Sequence, residues 1–163
     1  MALLSRTFFK AEAREVAAWS YAPPFDLYNG NPDHPELFLT RTAAGEGYYP
    51  AVDQHGALVA FAVFGVEARV RGQEPAADTL DVGLGVRPDL TSLGIGTELL
   101  SFIVAQVSAS QVTPTLRCAV AVFNARSLAL CHRAGFLPVR DFTGPGERTF
   151  RELTRTLAAS RFH

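Results

Sequence analysis

The sequence has few cysteines, almost no net charge and no long uninterrupted run of apolar residues. Two cysteines in 163 residues are too few for a disulfide framework and indicate a reducing compartment. No apolar run approaches the roughly 18 residues that cross a bilayer, and the apolar stretch at the start is too short for a signal peptide. We therefore expect a cytoplasmic protein that binds no membrane.

Charge and composition exclude two further classes of protein. Fifteen basic and 16 acidic residues leave a formal net charge of -1, whereas a general nucleic-acid binder needs a basic surface. An apolar fraction of 48% excludes a disordered chain, because such a chain cannot bury enough surface to offset its ordering entropy. The length predicts a single domain over residues 1–163.

Hydrophobic periodicity predicts seven strands and three helices. The strands are expected at residues 3–9, 48–52, 57–66, 79–86, 115–123, 137–142 and 148–157. The helices are expected at residues 12–20, 94–108 and 125–134. Asn124 has the side chain of an N-cap, and Gly135 can supply the left-handed residue that ends the third helix. This order predicts a mixed α/β protein with one sheet of about six to seven strands flanked by helices.

The segment from residue 82 to residue 98 combines a strand, a glycine-containing loop and the start of a helix. Amides at a helix N-terminus lack intrahelical partners, and the helix dipole adds positive charge there. Gly94 and Gly96 lack a Cβ, so a diphosphate can approach the backbone closely. The same glycines also suit a tight turn against the sheet. A dinucleotide fingerprint would need a third glycine near Leu99, and a nucleoside-triphosphate loop would need a lysine after Gly96.

Two motifs in this order resemble the GNAT superfamily of N-acetyltransferases. Val86-Arg-Pro88, followed by Thr91-Ser-Leu-Gly94-Ile-Gly96, is similar to the family's acyl-coenzyme A loop, Arg/Gln-x-x-Gly-x-Gly/Ala. Asn124, a helix and then Gly135-Phe136 resemble its second motif. The resemblance covers residues 80–136, and the family's fold would account for nearly the whole chain. It implies a sheet that splays between the fourth and fifth strands.

The resemblance also implies acetyl-coenzyme A (acetyl-CoA) as the acyl donor. Its pyrophosphate would be held by the backbone amides of Leu93, Gly94, Ile95, Gly96 and Thr97. The backbone of Leu84 and Val86 would pair with pantetheine, and one of these amides would polarise the thioester carbonyl. Asn124 would contact the pantetheine arm or orient the departing sulfur.

The sequence departs from the family's pattern at two positions. Thr91 stands where the family prefers arginine or glutamine, so a cation is lost and backbone amides must carry the phosphate site. Cys131 stands where the family often has a tyrosine that protonates the leaving thiolate. A thiol with a pKa of roughly 8.5 could do the same work. The alternative is that Cys131 is a small buried residue of the helix.

Two acids and a group of aromatics are candidates for handling the acceptor. Asp81 on the fourth strand and Glu67 after the third are the candidate general bases, although each also suits a solvated acid or an ion-pair partner. Trp19, Phe25 and Tyr28 lie in the region that forms the acceptor lip in the resembling fold. They could form an apolar or cation-binding pocket, or only pack against the core.

The leading interpretation is an N-acetyltransferase that moves the acetyl group to a primary amine by direct transfer in a ternary complex. A small molecule and a peptide remain equal as acceptors, and we expect no metal site. Dimers are frequent in the resembling family, so a homodimer is one expectation. The alternative function is a non-catalytic acyl-CoA binding or sensing module. A structural α/β protein whose loop binds nothing is a third and weaker interpretation.

Overall fold

The architecture is a mixed sheet with three α-helices. It is seen in a computed structural model that describes residues 1–110 and 115–157. The strands are β1 (Ala2–Leu3), β2 (Gly47–Val52), β3 (Leu58–Phe64), β4 (Thr79–Val86), β5 (Thr115–Ala121), β6 (Leu137–Thr143) and β7 (Thr149–Thr156). The helices in these residues are α1 (Lys10–Ala17), α2 (Ile95–Ser110) and α3 (Ala125–Arg133). The strand order β1-β2-β3-β4-β5-β7-β6 confirms the predicted seven-stranded α/β sheet.

The chain divides into two compact units, which we call the first and the second unit. The first unit comprises Met1–Glu67 and Leu84–Gly96, and the second comprises Ala68–Gly83 and Thr97–His163. The boundary falls within β4, and each unit is described by itself below.

The first unit is built around an aromatic core between α1 and the antiparallel strands β2 and β3. Phe38 packs edge-on against Phe8 at 5.8 Å and against Phe61 at 5.5 Å between ring centroids. Trp19 lies 6.2 Å from Phe61 and is 8% exposed. Aromatic side chains of this size bury a large apolar area each, so they supply much of the stabilisation of this unit.

The predicted first strand at residues 3–9 is wrong in its extent. β1 is only Ala2–Leu3 and pairs with the end of β2. Beyond it, the Glu12 carboxylate accepts the Phe9 N–H at 2.8 Å and binds the Arg6 guanidinium at 2.7 Å. These bonds fix the start of a helix, so α1 begins at Lys10 and the segment before it does not continue as a strand.

The second unit contains the antiparallel ladders of β5 with β7 and of β7 with β6. Strand β4 runs parallel to β5, and their ladder comprises three pairs, from Thr79↔Thr115 to Asp81↔Arg117. Both strands continue past this ladder, to Val86 and to Ala121. The predicted splay between these strands stays a prediction.

Both ends of α3 follow the sequence prediction. The Asn124 side chain accepts the Ser127 N–H at 3.2 Å, as an N-cap does. At the other end, Gly135 has φ +86°, and the Phe136 N–H donates to the Cys131 carbonyl at 3.0 Å. Phe136 is fully buried, which supplies the apolar contact that accompanies this kind of helix end.

Replacing Asn124 with alanine should lower the free energy of unfolding by about 1 kcal/mol, because the cap acceptor is lost. Urea unfolding of the two proteins measures this change. Asn124→Ser is the matched control, since its hydroxyl oxygen can still accept the Ser127 N–H and should restore most of the loss. If the free energy of unfolding falls equally for Asn124→Ala and Asn124→Ser, the loss does not come from the missing hydrogen-bond acceptor of the cap.

Candidate active site

The loop between β4 and α2 presents its backbone rather than its side chains. Ser92 and Gly94 both have left-handed conformations, with φ of +67° and +87°, and Leu93 lies between them. Alternation of this kind turns successive N–H groups toward one side and forms an anion-binding concavity. We call residues 91–96 the Gly94 loop.

Open space lies beside the Gly94 loop. A Cβ placed on Gly94 would meet no atom within 4 Å, and the Leu93 side chain is 67% exposed. The sixteen-residue helix α2 begins at Ile95, directly after this glycine. Its first amides therefore face accessible space with no intrahelical acceptor, and the helix dipole favours an anion there. The predicted pyrophosphate-binding amides lie in this segment: Leu93, Gly94, Ile95, Gly96 and Thr97.

Side chains near the Gly94 loop are engaged elsewhere. The Thr91 hydroxyl donates to the Pro88 carbonyl at 3.2 Å. The Arg87 guanidinium binds both carboxylate oxygens of Asp89, at 2.7 and 3.2 Å, and the Leu58 carbonyl at 3.0 Å. The Arg87 guanidinium is thus already engaged by these groups. It does not supply the positive charge that is lost because threonine, not arginine, stands at position 91. An anion at the predicted site would therefore depend on the backbone dipoles of this loop.

An aromatic pocket of about 200 Å³ lies within the first unit. Its walls come from α1, the segment that follows it, β2 and β3. We call it the aromatic pocket, and the residues that line it are Val16, Trp19, Tyr21, Tyr28, Asn29, Gly30, Phe38, Tyr48, Phe61 and Val63. Two of the predicted acceptor residues, Trp19 and Tyr28, are among them. Phe25 is not, although it lies in the same segment.

Two contacts join the aromatic pocket to β4. The Phe61 ring lies so close to Gly85 that a Cβ on that residue would be 2.4 Å from a ring carbon. The Tyr21 hydroxyl donates to the Val86 carbonyl at 2.6 Å. Burial raises the pKa of Tyr21 to about 12, so this hydroxyl keeps its proton at neutral pH. Tyr21 and Phe61 were not singled out in the sequence, since their role depends on contacts 24 to 65 residues apart.

Asp81 is locked into a buried ion-pair network in the second unit. Its side chain is 3% exposed, and both carboxylate oxygens accept from Arg117, at 2.6 and 3.0 Å. Arg69 adds a third bond at 2.8 Å. Arg117 also approaches Glu152 at 3.5 Å. These bonds to two guanidinium groups support the ion-pair interpretation of Asp81.

Glu67, the other candidate base, has a different environment. It lies exposed in the short 3₁₀-helix Gly65–Ala68 that follows β3. Tyr48, which lines the aromatic pocket, has its pKa raised to about 12, first by burial and then by the negative charge of Glu67. Glu67 is therefore within electrostatic range of the aromatic pocket.

Cys131 lies on the buried side of α3, where its Sγ atom is 3.8 Å from that of Cys118 on β5. Both thiols are free. The contact with Cys118 lowers the pKa of Cys131, although burial acts in the opposite direction. The Cys118 thiol, by contrast, has its pKa raised by Cys131 and by burial. Cys131 is thus the more acidic thiol of the pair.

Two other kinds of site receive no support in residues 1–110 and 115–157. No cluster of three or more His, Cys, Asp or Glu side chains there is placed to hold a metal ion. None of the helices there has the length and apolar character needed to cross a membrane.

Comparison with known proteins identifies the family. Residues 12–136 match the model of the acetyltransferase (GNAT) family. Since this match spans most of the chain, the protein belongs to the GNAT acetyltransferases, and its enzyme class is N-acetyltransferase. A search of curated proteins found no significant match.

Solved structures agree on the fold. A GNAT-family acetyltransferase from Bordetella pertussis superposes with a TM-score of 0.76 at 20% identity, covering 94% of both chains. The YncA acetyltransferase of Salmonella typhimurium, solved with acetyl-CoA, has a TM-score of 0.70 at 17% identity and covers 95% of this chain and 94% of its own. An aminoglycoside acetyltransferase in complex with coenzyme A has a TM-score of 0.72 at 16% identity, covering 93% and 92%.

Asp81→Asn should destabilise the protein by about 3 kcal/mol, because it removes the carboxylate that binds the buried Arg117 at 2.6 and 3.0 Å and leaves only the longer contact with Glu152 as its ion pair. Asp141→Asn is the matched control, since Asp141 also binds both nitrogens of one arginine, Arg151, but at the surface. This second variant should unfold almost like the parent protein. Chemical denaturation compares the two. Equal midpoints for both variants would contradict a structural role for Asp81.

Proposed function

We propose that the protein transfers the acetyl group of acetyl-CoA to a primary amine by direct attack in a ternary complex. The amine nitrogen forms a bond to the carbonyl carbon as the bond from that carbon to sulfur breaks. The ammonium first loses one proton, and the nitrogen loses a second as the amide forms. The departing thiolate takes up one proton, so one proton in total is released. The products are an N-acetyl amine and free coenzyme A. The observation that carries this proposal is the Gly94 loop, which offers open backbone amides at the start of α2.

Donor binding is assigned to backbone groups. The amides of residues 93–97 would hold the pyrophosphate, and the backbone of Leu84 and Val86 would pair with the pantetheine arm. One amide of this strand would polarise the thioester carbonyl. Asn124 would contact the pantetheine arm or orient the sulfur, in addition to capping α3. Backbone donors suit this role because they are fixed before the ligand arrives and need no reorganisation.

Glu67 is the better of the two candidate bases. An ammonium must lose a proton before its nitrogen can attack, and the base must reach that proton directly or through water. Asp81 already accepts bonds from two arginines, whereas Glu67 is exposed and acts electrostatically on a residue of the aromatic pocket. We therefore assign removal of the ammonium proton to Glu67 and a structural role to Asp81.

Cys131 is assigned to protonate the leaving thiolate. Its contact with Cys118 lowers its pKa, which makes it a stronger acid than an ordinary buried thiol. A reducing, cytoplasmic location stays a prediction from the low number of cysteines. The acceptor amine is a small molecule or a peptide in this proposal, and a homodimer stays a prediction.

The second candidate function is a non-catalytic acyl-CoA binding or sensing module. It is favoured by the ion pairs that engage Asp81 and by a cysteine at the position where the family often has tyrosine. Release of free thiol from acetyl-CoA in the presence of an amine panel separates the two functions. Calorimetric binding of acetyl-CoA with no thiol release from any amine would favour the module.

Gly96→Glu should abolish acetyl-CoA binding, because the side chain fills the loop and adds a charge of the same sign as pyrophosphate. Isothermal titration calorimetry measures the affinity. Gly56→Glu is the control, since it adds the same side chain to open space in the β2–β3 turn of the first unit. Unchanged affinity of the Gly96 variant would show that the pyrophosphate site lies elsewhere.

Cys131→Ala should lower kcat more than it weakens acetyl-CoA binding, because the proton donor to the leaving thiolate is lost. Cys118→Ala is the control for lost volume in the same buried contact. It leaves the thiol of Cys131 in place but removes the contact that lowers its pKa, so it should reduce kcat less than Cys131→Ala does. Steady-state thiol release together with calorimetry separates kcat from affinity. Equal kcat for the two variants would remove the acid role of Cys131.

A further inference from the structure

The aromatic pocket is a cavity that the chemistry proposed above does not yet use. We propose that it binds the body of the acceptor, and that this acceptor is a small monoamine whose nitrogen is attached to a single ring or short alkyl group. This inference rests on the proposed transferase function and adds the class of its substrate.

The volume of the aromatic pocket limits the size of the acceptor group that it can hold. The aromatic pocket holds about 200 Å³. An apolar cavity of about 150 Å³ accommodates benzene, so one ring with a short side chain fits here. Pockets that take larger ligands measure roughly 300–1,000 Å³. A peptide side chain of the same size would fit as well, but an oligosaccharide would not.

Charge limits the acceptor further. None of the ten lining residues carries a formal charge at neutral pH: six are aromatic, and the others are valine, asparagine and glycine. Both Tyr21 and Tyr48 stay protonated, because burial raises the pKa of each to about 12. A polyamine or an aminoglycoside brings several ammonium groups, and desolvating them without carboxylate partners is unfavourable. The lining therefore selects an acceptor with one amino group and an apolar body.

The aromatic pocket lies next to the end of β4, the strand to which the acyl donor is assigned. The Phe61 ring lies against Gly85, and Tyr21 donates to the carbonyl of Val86. Both contacted residues belong to the end of β4, whose backbone is assigned to the acyl donor. A body held against Phe61 and Tyr21 is thus next to that strand within the same unit.

The acceptor also needs a base to remove its ammonium proton, and Glu67 is the candidate for this role. It lies exposed directly after β3, the strand whose Phe61 and Val63 line the aromatic pocket, whereas no lining residue is itself a base. An apolar body in the pocket leaves its ammonium at the polar edge, where a carboxylate can accept the proton. This placement lets one surface bind the hydrocarbon while a separate group removes the proton.

The first test compares 2-phenylethylamine, spermidine and kanamycin as acceptors in a thiol-release assay with the parent protein. We expect thiol release with 2-phenylethylamine at the lowest KM and little with the two polycations. Turnover of the polycations with no turnover of 2-phenylethylamine would overturn this inference and leave the transferase function standing. Absence of turnover with every amine would instead contradict the transferase function.

The second test alters the wall of the aromatic pocket at Tyr28, one of its exposed residues. Tyr28, which is 39% exposed, can be changed without opening the core. Tyr28→Ala should raise the KM for 2-phenylethylamine roughly threefold to tenfold, the range expected from a lost aromatic contact. Tyr28→Phe keeps the aromatic ring and should raise the KM for 2-phenylethylamine less. Acetyl-CoA affinity should not change in either variant.

The control variant is Leu37→Ala, which removes an exposed apolar side chain of the first unit that does not line the aromatic pocket. Its KM should match that of the parent. If Leu37→Ala and Tyr28→Ala raise the KM equally, the effect is not specific to the pocket and the inference is wrong.

A binding measurement that does not depend on turnover completes the design. Trp19 is the single tryptophan of the sequence and lines the aromatic pocket, so its fluorescence reports on that cavity alone. Titration of the protein with 2-phenylethylamine should change this emission saturably, whereas spermidine should not. A response to neither amine, in protein that does turn over 2-phenylethylamine, would place the acceptor elsewhere.

Discussion

The close approach of the Phe61 ring to the backbone of Gly85 is the contact on which the first unit depends. Any side chain at position 85 would occupy the space that the ring fills. The ring in turn contacts Trp19, Phe38 and Tyr48, so one glycine on β4 determines how the aromatic core meets the strand. Gly85 thus lets an aromatic ring lie directly against the backbone of β4.

The ends of α3 and the bounds of β4 could be predicted from the sequence, because residues close to each other in the chain determine them. Asn124 and Gly135 fix the ends of α3 through bonds that span three to five residues, so the sequence alone indicated both. Strand β4 was predicted with its observed bounds, since proline at 88 ends it. The first strand was overestimated because the bonds of Glu12 to Phe9 and Arg6 convert residues that look extended into a helix start.

Features that depend on distant contacts could not be predicted in this way. The sequence shows Asp81 as an isolated acid on a strand, and its partners Arg69 and Arg117 lie 12 and 36 residues away. Parallel pairing places Asp81 opposite Arg117, which the periodicity of a single strand does not reveal. The aromatic pocket has the same character: Trp19 and Tyr28 were recognisable as a local cluster, but the walls from β2 and β3 were not.

The two candidate bases show how burial separates similar side chains into different roles. Taking a carboxylate out of water is unfavourable unless cations and donors replace the solvent, and Arg69 and Arg117 do so at Asp81. The same bonds engage the oxygens that a substrate proton would need. Glu67 lies exposed, so its carboxylate is accessible from solvent. The proposed phosphate site would avoid this requirement, because neutral amides at the start of α2 would attract an anion without a buried charge that must first be compensated.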